Sequence, residues 1–271
     1  MKSLFLFLLP GIFFLANCSS ASQPNDPVPA HETFTIQSKG LNETRTINVW
    51  LPEEYSKHTD SLPVMYMPDG GLKEDFPHIA NTFAKLVKAK TIPPFILVGI
   101  ENTQRRRDLT GPTEVEKDKE IAPVVGGSQA FRNFIREELF PEISKRYRTT
   151  GNKGILGESA AGLFVMETFL LEPGMFDYYI AFDPSLWWND HYLVKVAKQQ
   201  LGKLPTEQKI LWFAGSGAED IAVHTKAFAD ILKTENLPQL RWNYADEPEE
   251  KHNTIFRATK EKALAWALSH H

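Results

Sequence analysis

Residues 157–162 place a serine among small residues, where an apolar strand is predicted to give way to a helix. A serine hydroxyl is a weak nucleophile at neutral pH, so it reacts only when a sharp turn exposes it to a base. Gly157, two residues before Ser159, leaves room for such a turn, and Ala161 stands where the usual pattern has a second glycine. The spacing predicts that Ser159 is a nucleophile on a strand-to-helix elbow.

A histidine follows the last predicted strand, where a general base for this serine is expected. Functional side chains of parallel α/β sheets gather at the carboxyl ends of the strands. His252 lies in such a loop and is predicted to take the proton of Ser159. An acid is needed to orient the imidazole, and the loop after the preceding strand favours Glu219, with Asp220 as the alternative. Asp183, after an earlier strand, could also reach a histidine.

Stabilisation of a developing oxyanion requires backbone N–H groups close to the serine. Ala160, at the start of the predicted helix, is one expected donor. Gly70 and Gly71 are the others, because a turn without side chains lets a substrate oxygen approach. The alternative for Gly70 and Gly71 is a simple tight turn.

Apolar strands alternate with helical segments along the rest of the chain. Two stretches with period-two alternation predict a hairpin, and helical spacing of apolar residues up to Tyr147 predicts a helix that packs one face on the sheet. This order predicts a single α/β domain with a mostly parallel central sheet and helices on both faces. The strands are predicted at residues 32–37, 45–51, 62–67, 95–100, 155–156, 178–182, 210–213 and 240–244, and the helix positions are Phe131, Phe134, Ile135 and Leu139.

An apolar stretch precedes this domain. Residues 4–16 follow Lys2 and are too short to span a bilayer, but they have the length of a signal-peptide core. Residues 1–21 are therefore predicted to be a signal peptide, residues 22–30 a tether and residues 31–271 the folded domain.

The only cysteine of the 271 residues, Cys18, excludes an intramolecular disulfide. Residues 15–18 resemble a bacterial lipoprotein box, which favours cleavage before Cys18, lipidation and membrane attachment, whereas residues 19–21 offer an ordinary signal-peptidase site. Both interpretations predict export, either to the bacterial periplasm or as a membrane-anchored lipoprotein.

Charge and composition narrow the possible partners. The net charge is −4, with no basic excess to hold a phosphate backbone, so no nucleic-acid partner is predicted. The sequence has no histidine pair flanking a glutamate on a helix, no cysteine cluster and no phosphate loop. Neither a metal nor a cofactor is predicted, and the oligomeric state is left open.

Seven segments, taken in order, resemble the esterase D-type branch of the α/β-hydrolases, near the enterochelin and salmochelin esterases. The resemblance covers nearly all of the mature chain and implies an α/β-hydrolase fold and serine esterase activity, with Ser159 and His252 as nucleophile and base. Glu219 matches the acid of the family only loosely, and Ala161 and the doubled Glu219–Asp220 depart from its pattern. The segments are residues 62–70, 98–100, 107–110, 126–147, 157–159, 183–188 and 251–252.

The substrate pocket is expected to involve Asp69, Arg107, Trp187 and Trp188. An indole beside the serine suits a flat acyl group, and the basic run at residues 105–107 suits an anionic one. The predicted reaction is hydrolysis of a small carboxylic ester through an acyl-enzyme, with siderophore-type or aromatic esters as candidates. The alternatives are an acyltransferase that uses the same residues and a non-catalytic binding protein on a hydrolase fold.

Overall fold

A computed structural model describes residues 26–269 of the protein. In this range eight strands form one sheet in the order β1-β2-β4-β3-β5-β6-β7-β8. The β1–β2 and β2–β4 pairs are antiparallel and the other five pairs are parallel. The strands are β1 (Glu32–Ser38), β2 (Glu43–Trp50), β3 (Leu62–Pro68), β4 (Ile96–Ile100), β5 (Thr149–Glu158), β6 (Tyr178–Phe182), β7 (Lys209–Ser216) and β8 (Leu240–Glu247).

Helices cover both faces of this sheet. They are α1 (Glu53–Lys57), α2 (Phe76–Lys88), α3 (Arg105–Leu109), α4 (Glu116–Ile121), α5 (Ser128–Phe134), α6 (Phe140–Arg146), α7 (Ala160–Leu171), α8 (Trp188–Leu201), α9 (Glu219–Thr234) and α10 (Ile255–Leu268). A π-helical turn, Ile135–Leu139, joins α5 to α6. No helix within residues 26–269 is long and apolar enough to cross a membrane.

Two apolar cores lie on opposite faces of the sheet. Successive side chains of β3 point to opposite faces of the sheet: Val64 and Tyr66 pack in one core, and Met65 and Met67 pack in the other. Helix α7 is buried around nearly its whole circumference, which explains why its sequence is apolar without a polar face. The sequence prediction of a mostly parallel sheet with helices on both faces is confirmed.

The element boundaries differ from the sequence prediction where local signals are weak. Strand β5 begins at Thr149 rather than at Ile155, because its first half is polar and partly exposed and shows no apolar alternation. The helix predicted to end at Tyr147 begins at Ser128 and contains the π-helical turn.

The chain segment before β1 is described only from Asp26 onward. Asp26 forms an ion pair with Arg257 of α10, and the Asn81 side chain of α2 donates to the Pro27 carbonyl at 2.8 Å. The end of the predicted tether therefore contacts the domain. The predicted signal peptide and Cys18 lie outside the described residues.

Candidate active site

Ser159 stands alone between the end of β5 and the start of α7. Its backbone has φ 58° and ψ −116°, a conformation that non-glycine residues rarely adopt. The Ser159 N–H donates to the Phe182 carbonyl at 2.9 Å, and the Ser159 carbonyl accepts from the N–H of Leu163 at 2.8 Å and of Ser185 at 3.2 Å. These bonds hold the turn in place, so the hydroxyl is presented at the carboxyl edge of the sheet.

Two glycines allow this turn to close. A Cβ on Gly157 would lie 2.6 Å from the Cβ of Ala161, and a Cβ on Gly162 would lie 2.9 Å from the Phe182 carbonyl oxygen. Ala161 itself is fully buried. Its methyl group is therefore accommodated by Gly157, and the close approach of α7 to β6 occurs at Gly162.

We expect the substitution Gly157→Ala to destabilise the fold by about 1–3 kcal/mol, because the added methyl overlaps that of Ala161. Chemical denaturation measures this effect. Gly151→Ala, in the same strand, is the matched control, since its added methyl meets nothing within 4 Å. Equal stability of the two variants would contradict this account of the elbow.

His252 links the serine to a buried carboxylate. Its Nε2 lies 3.0 Å from Ser159 Oγ, and its Nδ1 lies 2.6 Å from Asp183 Oδ2. An ionised carboxylate can only accept, so Nδ1 carries the hydrogen and the lone pair of Nε2 faces the hydroxyl. Burial lowers the pKa of His252, but the hydrogen bond from Nδ1 to Asp183 and the charges of Glu158 and Asp183 outweigh it and raise the pKa above its usual value.

The acid beside the histidine is Asp183, whereas the sequence favoured Glu219. Asp183 follows β6 and is fully buried, and it accepts from the Ser216 N–H at 2.6 Å and the Ser216 hydroxyl at 2.9 Å. Glu219 and Asp220 are exposed in the first turn of α9, where carboxylates complement the helix dipole. The prediction for Glu219 is wrong: β7 continues to Ser216 and α9 begins at Glu219, so this side chain lies on the exposed first turn of a helix. Asp183 follows β6, which lies next to β5, and its carboxylate reaches His252.

The predicted glycine donors are also corrected. The Gly70 N–H donates to the Ile100 carbonyl at 3.0 Å, and the Gly71 N–H donates to Glu74 Oε2 at 2.7 Å, so neither is free for an oxyanion. Ala160 does line the pocket beside the serine. It occupies the first position of α7, where a backbone N–H has no acceptor within the helix.

The pocket in front of Ser159 has a volume of about 410 Å³ and mostly apolar walls. Both predicted tryptophans line it, together with Leu163 of α7. Trp188 is buried and its indole N–H donates to the Gly111 carbonyl at 3.0 Å, whereas Trp187 is partly exposed. Trp188 is thus fixed as part of the wall, and Trp187 is the more accessible of the two surfaces.

The cations of the pocket are Arg105 and Arg106, whereas the sequence favoured Arg107. Arg107 turns away to form ion pairs with Glu43 at 2.6 Å and Asp108 at 2.7 Å. The five-residue helix α3 carries all three arginines, so adjacent positions point in different directions.

Asp69 lies beneath Arg105 and not on the pocket surface. It is 2% exposed, and it accepts from Arg105 Nε at 2.6 Å and Nη2 at 2.7 Å. Burial lowers the pKa of Arg105, but the charge and hydrogen bonds of Asp69 outweigh this effect and raise the pKa above its usual value. The guanidinium therefore stays charged. Within residues 26–269 no three His, Cys, Asp or Glu side chains are grouped so that they could hold a metal ion.

A mostly parallel sheet with helices on both faces and a serine on a strand-to-helix elbow defines the α/β-hydrolase fold. Residues 38–267 match the model of the family described as "Putative esterase", and the chain belongs to this family. The resemblance predicted from the sequence is confirmed.

Two of the relatives are named as siderophore esterases. The chain is 30% identical over 189 residues to ferri-bacillibactin esterase BesA of Bacillus subtilis, which covers 62% of this chain and 63% of that protein. It thus spans less than two thirds of the length of that relative. It is 24% identical over 246 residues to apo-salmochelin esterase of Escherichia coli, covering 83% and 75% of the two chains.

A solved structure supports the same fold. The crystal structure of an IroE-like serine hydrolase from Shewanella oneidensis superposes with a TM-score of 0.81 at 27% identity. The superposition covers 88% of this chain and 80% of that one.

Proposed function

We propose that the protein is a serine hydrolase of carboxylic esters, in which Ser159 is the nucleophile, His252 the general base and Asp183 the carboxylate that orients the imidazole. The observation that carries the proposal is the line of two contacts, 3.0 Å from the serine hydroxyl to Nε2 and 2.6 Å from Nδ1 to the buried carboxylate. Membership of the esterase family supports the same reaction.

The reaction proceeds in two steps. His252 Nε2 takes the hydroxyl proton as Ser159 Oγ attacks the ester carbonyl carbon, and the same proton then passes to the leaving alkoxide, which departs as an alcohol. A water molecule next gives a proton to Nε2 and attacks the acyl-enzyme. Collapse of the second intermediate releases the carboxylic acid and returns that proton to Ser159.

The oxyanion formed in both steps faces two donors on the pocket wall. Ala160 offers the first backbone N–H of the 12-residue helix α7, whose dipole also favours negative charge. Arg105 adds a guanidinium that Asp69 holds on the same wall. Both are fixed before the substrate arrives, so little reorganisation is needed.

For the substrate we propose an ester with an aromatic, anionic acyl group of the siderophore type. Trp187 and Trp188 give the pocket flat apolar surfaces, and Arg105 and Arg106 give it positive charge. The names of the two relatives, ferri-bacillibactin esterase and apo-salmochelin esterase, support this class.

Ser159→Ala is expected to abolish ester hydrolysis, a fall of about 10⁶-fold in kcat, while the fold remains intact. The wild-type protein is expected to be labelled by a fluorophosphonate at Ser159, and mass spectrometry locates the adduct. An unchanged rate in the variant, or labelling at another residue, would reject the proposed nucleophile. Product analysis in the presence of an added alcohol distinguishes hydrolysis from acyl transfer.

Asp183→Asn is expected to lower kcat by about 10³–10⁴-fold, because an amide in place of the carboxylate no longer selects the tautomer of His252 that accepts from serine. Glu219→Gln is the matched control and is expected to leave kcat unchanged, since Glu219 is exposed on α9. Steady-state kinetics on one nitrophenyl ester compares the two variants. A loss of activity confined to Glu219→Gln would restore the assignment made from the sequence.

Trp187→Ala is expected to raise KM roughly fivefold for feruloyl or siderophore esters and to leave KM for an acetyl ester unchanged, because only the flat acyl group loses a stacking surface. Parallel assays with nitrophenyl acetate, a feruloyl ester and a siderophore ester measure this difference. Equal changes for all three substrates would argue against an aromatic acyl group.

A further inference from the structure

A second carboxylate faces the imidazole of His252. Glu158 is the last residue of β5, directly before the proposed nucleophile, and it is 6% exposed. Its Oε1 lies 3.6 Å from Nε2 of His252, the same nitrogen that faces Ser159 Oγ at 3.0 Å. The imidazole therefore has Asp183 on its Nδ1 side and Glu158 beside Nε2.

We propose that Glu158 is a positioning residue that stabilises the imidazolium of His252 while Ser159 attacks the ester. This inference rests on the proposed hydrolase function and adds one group to its mechanism. When Nε2 takes the serine proton, the new N–H lies close to an ionised oxygen of Glu158, and the positive charge of the ring lies between two carboxylates. The proton then passes from Nε2 to the leaving oxygen, so Glu158 ends the step in the form in which it began.

The charged groups around this pair come from several elements. Glu158 faces His252 and Arg105, whose positive charges favour its ionised form, and Asp69 and Asp75, whose negative charges oppose it. His252 faces Asp183 and Asp220 in addition to Glu158. The Arg105 guanidinium forms its ion pair with Asp69, whereas the ion-pair contact of the Glu158 carboxylate is with His252.

These surroundings have a consequence for the pH dependence. Burial raises the pKa of Glu158 to about 8, against the opposing effect of His252 and Arg105. Because His252 Nε2 and Glu158 Oε1 are 3.6 Å apart, the two groups titrate as a coupled pair. Full activity requires an unprotonated imidazole and an ionised Glu158. The wild-type kcat/KM is expected to rise with pH through the pKa of Glu158, about 8, and to level off above it once the pair has lost both protons.

Glu158→Gln keeps the shape of the side chain and removes its charge. A carboxylate favours the protonated ring, so its removal lowers the pKa of His252. The rise of kcat/KM is expected to end about one pH unit lower than in the wild type, and the plateau at high pH is expected to be about tenfold lower, since one unit of pKa is a factor of ten. Glu158→Asp, which keeps a shorter carboxylate, is expected to restore part of both quantities.

Glu167→Gln is the matched control. Glu167 is a carboxylate of α7 that is 7% exposed, but its partners are on α5: it accepts from the Ser128 hydroxyl at 3.1 Å and pairs with Arg132 at 3.4 Å. It is expected to keep the pH profile of the wild type. A profile of Glu158→Gln that superposes on the wild-type profile would overturn the proposal.

A second measurement is independent of turnover and of the folding of the variant. In the wild-type protein, ¹⁵N-edited NMR of the His252 ring is expected to show two titration steps, the upper one near pH 8. A single step at the ordinary histidine pKa would overturn the proposal. If no ester is hydrolysed and no fluorophosphonate reacts at Ser159, the hydrolase assignment fails, whereas the two-step titration still reports the contact between Glu158 and His252.

Discussion

The buried carboxylate of Asp183 is the contact on which the geometry of the site depends. It accepts hydrogen bonds from the N–H and the hydroxyl of Ser216, at the end of β7, and from Nδ1 of His252, in the loop after β8. Ser159 is fixed independently, at the end of β5, by its N–H bond to the end of β6. Because these four strands are parallel and adjacent, one hydrogen-bonding register places all these groups at the same edge of the sheet.

Acidic side chains are grouped around Glu158, next to Ser159, as well as beside His252. Asp69, Asp75 and Glu158 are each at least nine-tenths buried, and Arg105 pairs with Asp69 among them. Burying three carboxylates is costly unless cations and hydrogen bonds offset the lost hydration. The positive charge that the proposed mechanism places on His252 would therefore lie near acidic side chains that are already in position.

The sequence predicted the order of the elements, and it singled out two residues that the structure brings together. Ser159 and His252 follow from local signals, a glycine-flanked elbow and a histidine after the last strand, and the structure places them 3.0 Å apart. Asp183 could not be chosen over Glu219, because that choice depends on which strand lies next to β5. The sequence also does not reveal that the Gly70 and Gly71 N–H groups are already bonded. Their acceptors are the carbonyl of Ile100, on another strand, and the side-chain carboxylate of Glu74.

The π-helical turn between α5 and α6 has a consequence for anyone who rebuilds this region. One extra residue in a helical turn rotates every later side chain by about 100° around the axis. Phe140, which follows this turn, packs tilted against Tyr66 and edge-to-face against Phe176, with ring centroids 4.9 and 5.5 Å away, and Phe131, which precedes it, lies beneath Arg45. A helix grafted from a homologue with regular winding would turn Phe140 away from Tyr66 and Phe176, so a transplant must keep this stretch whole.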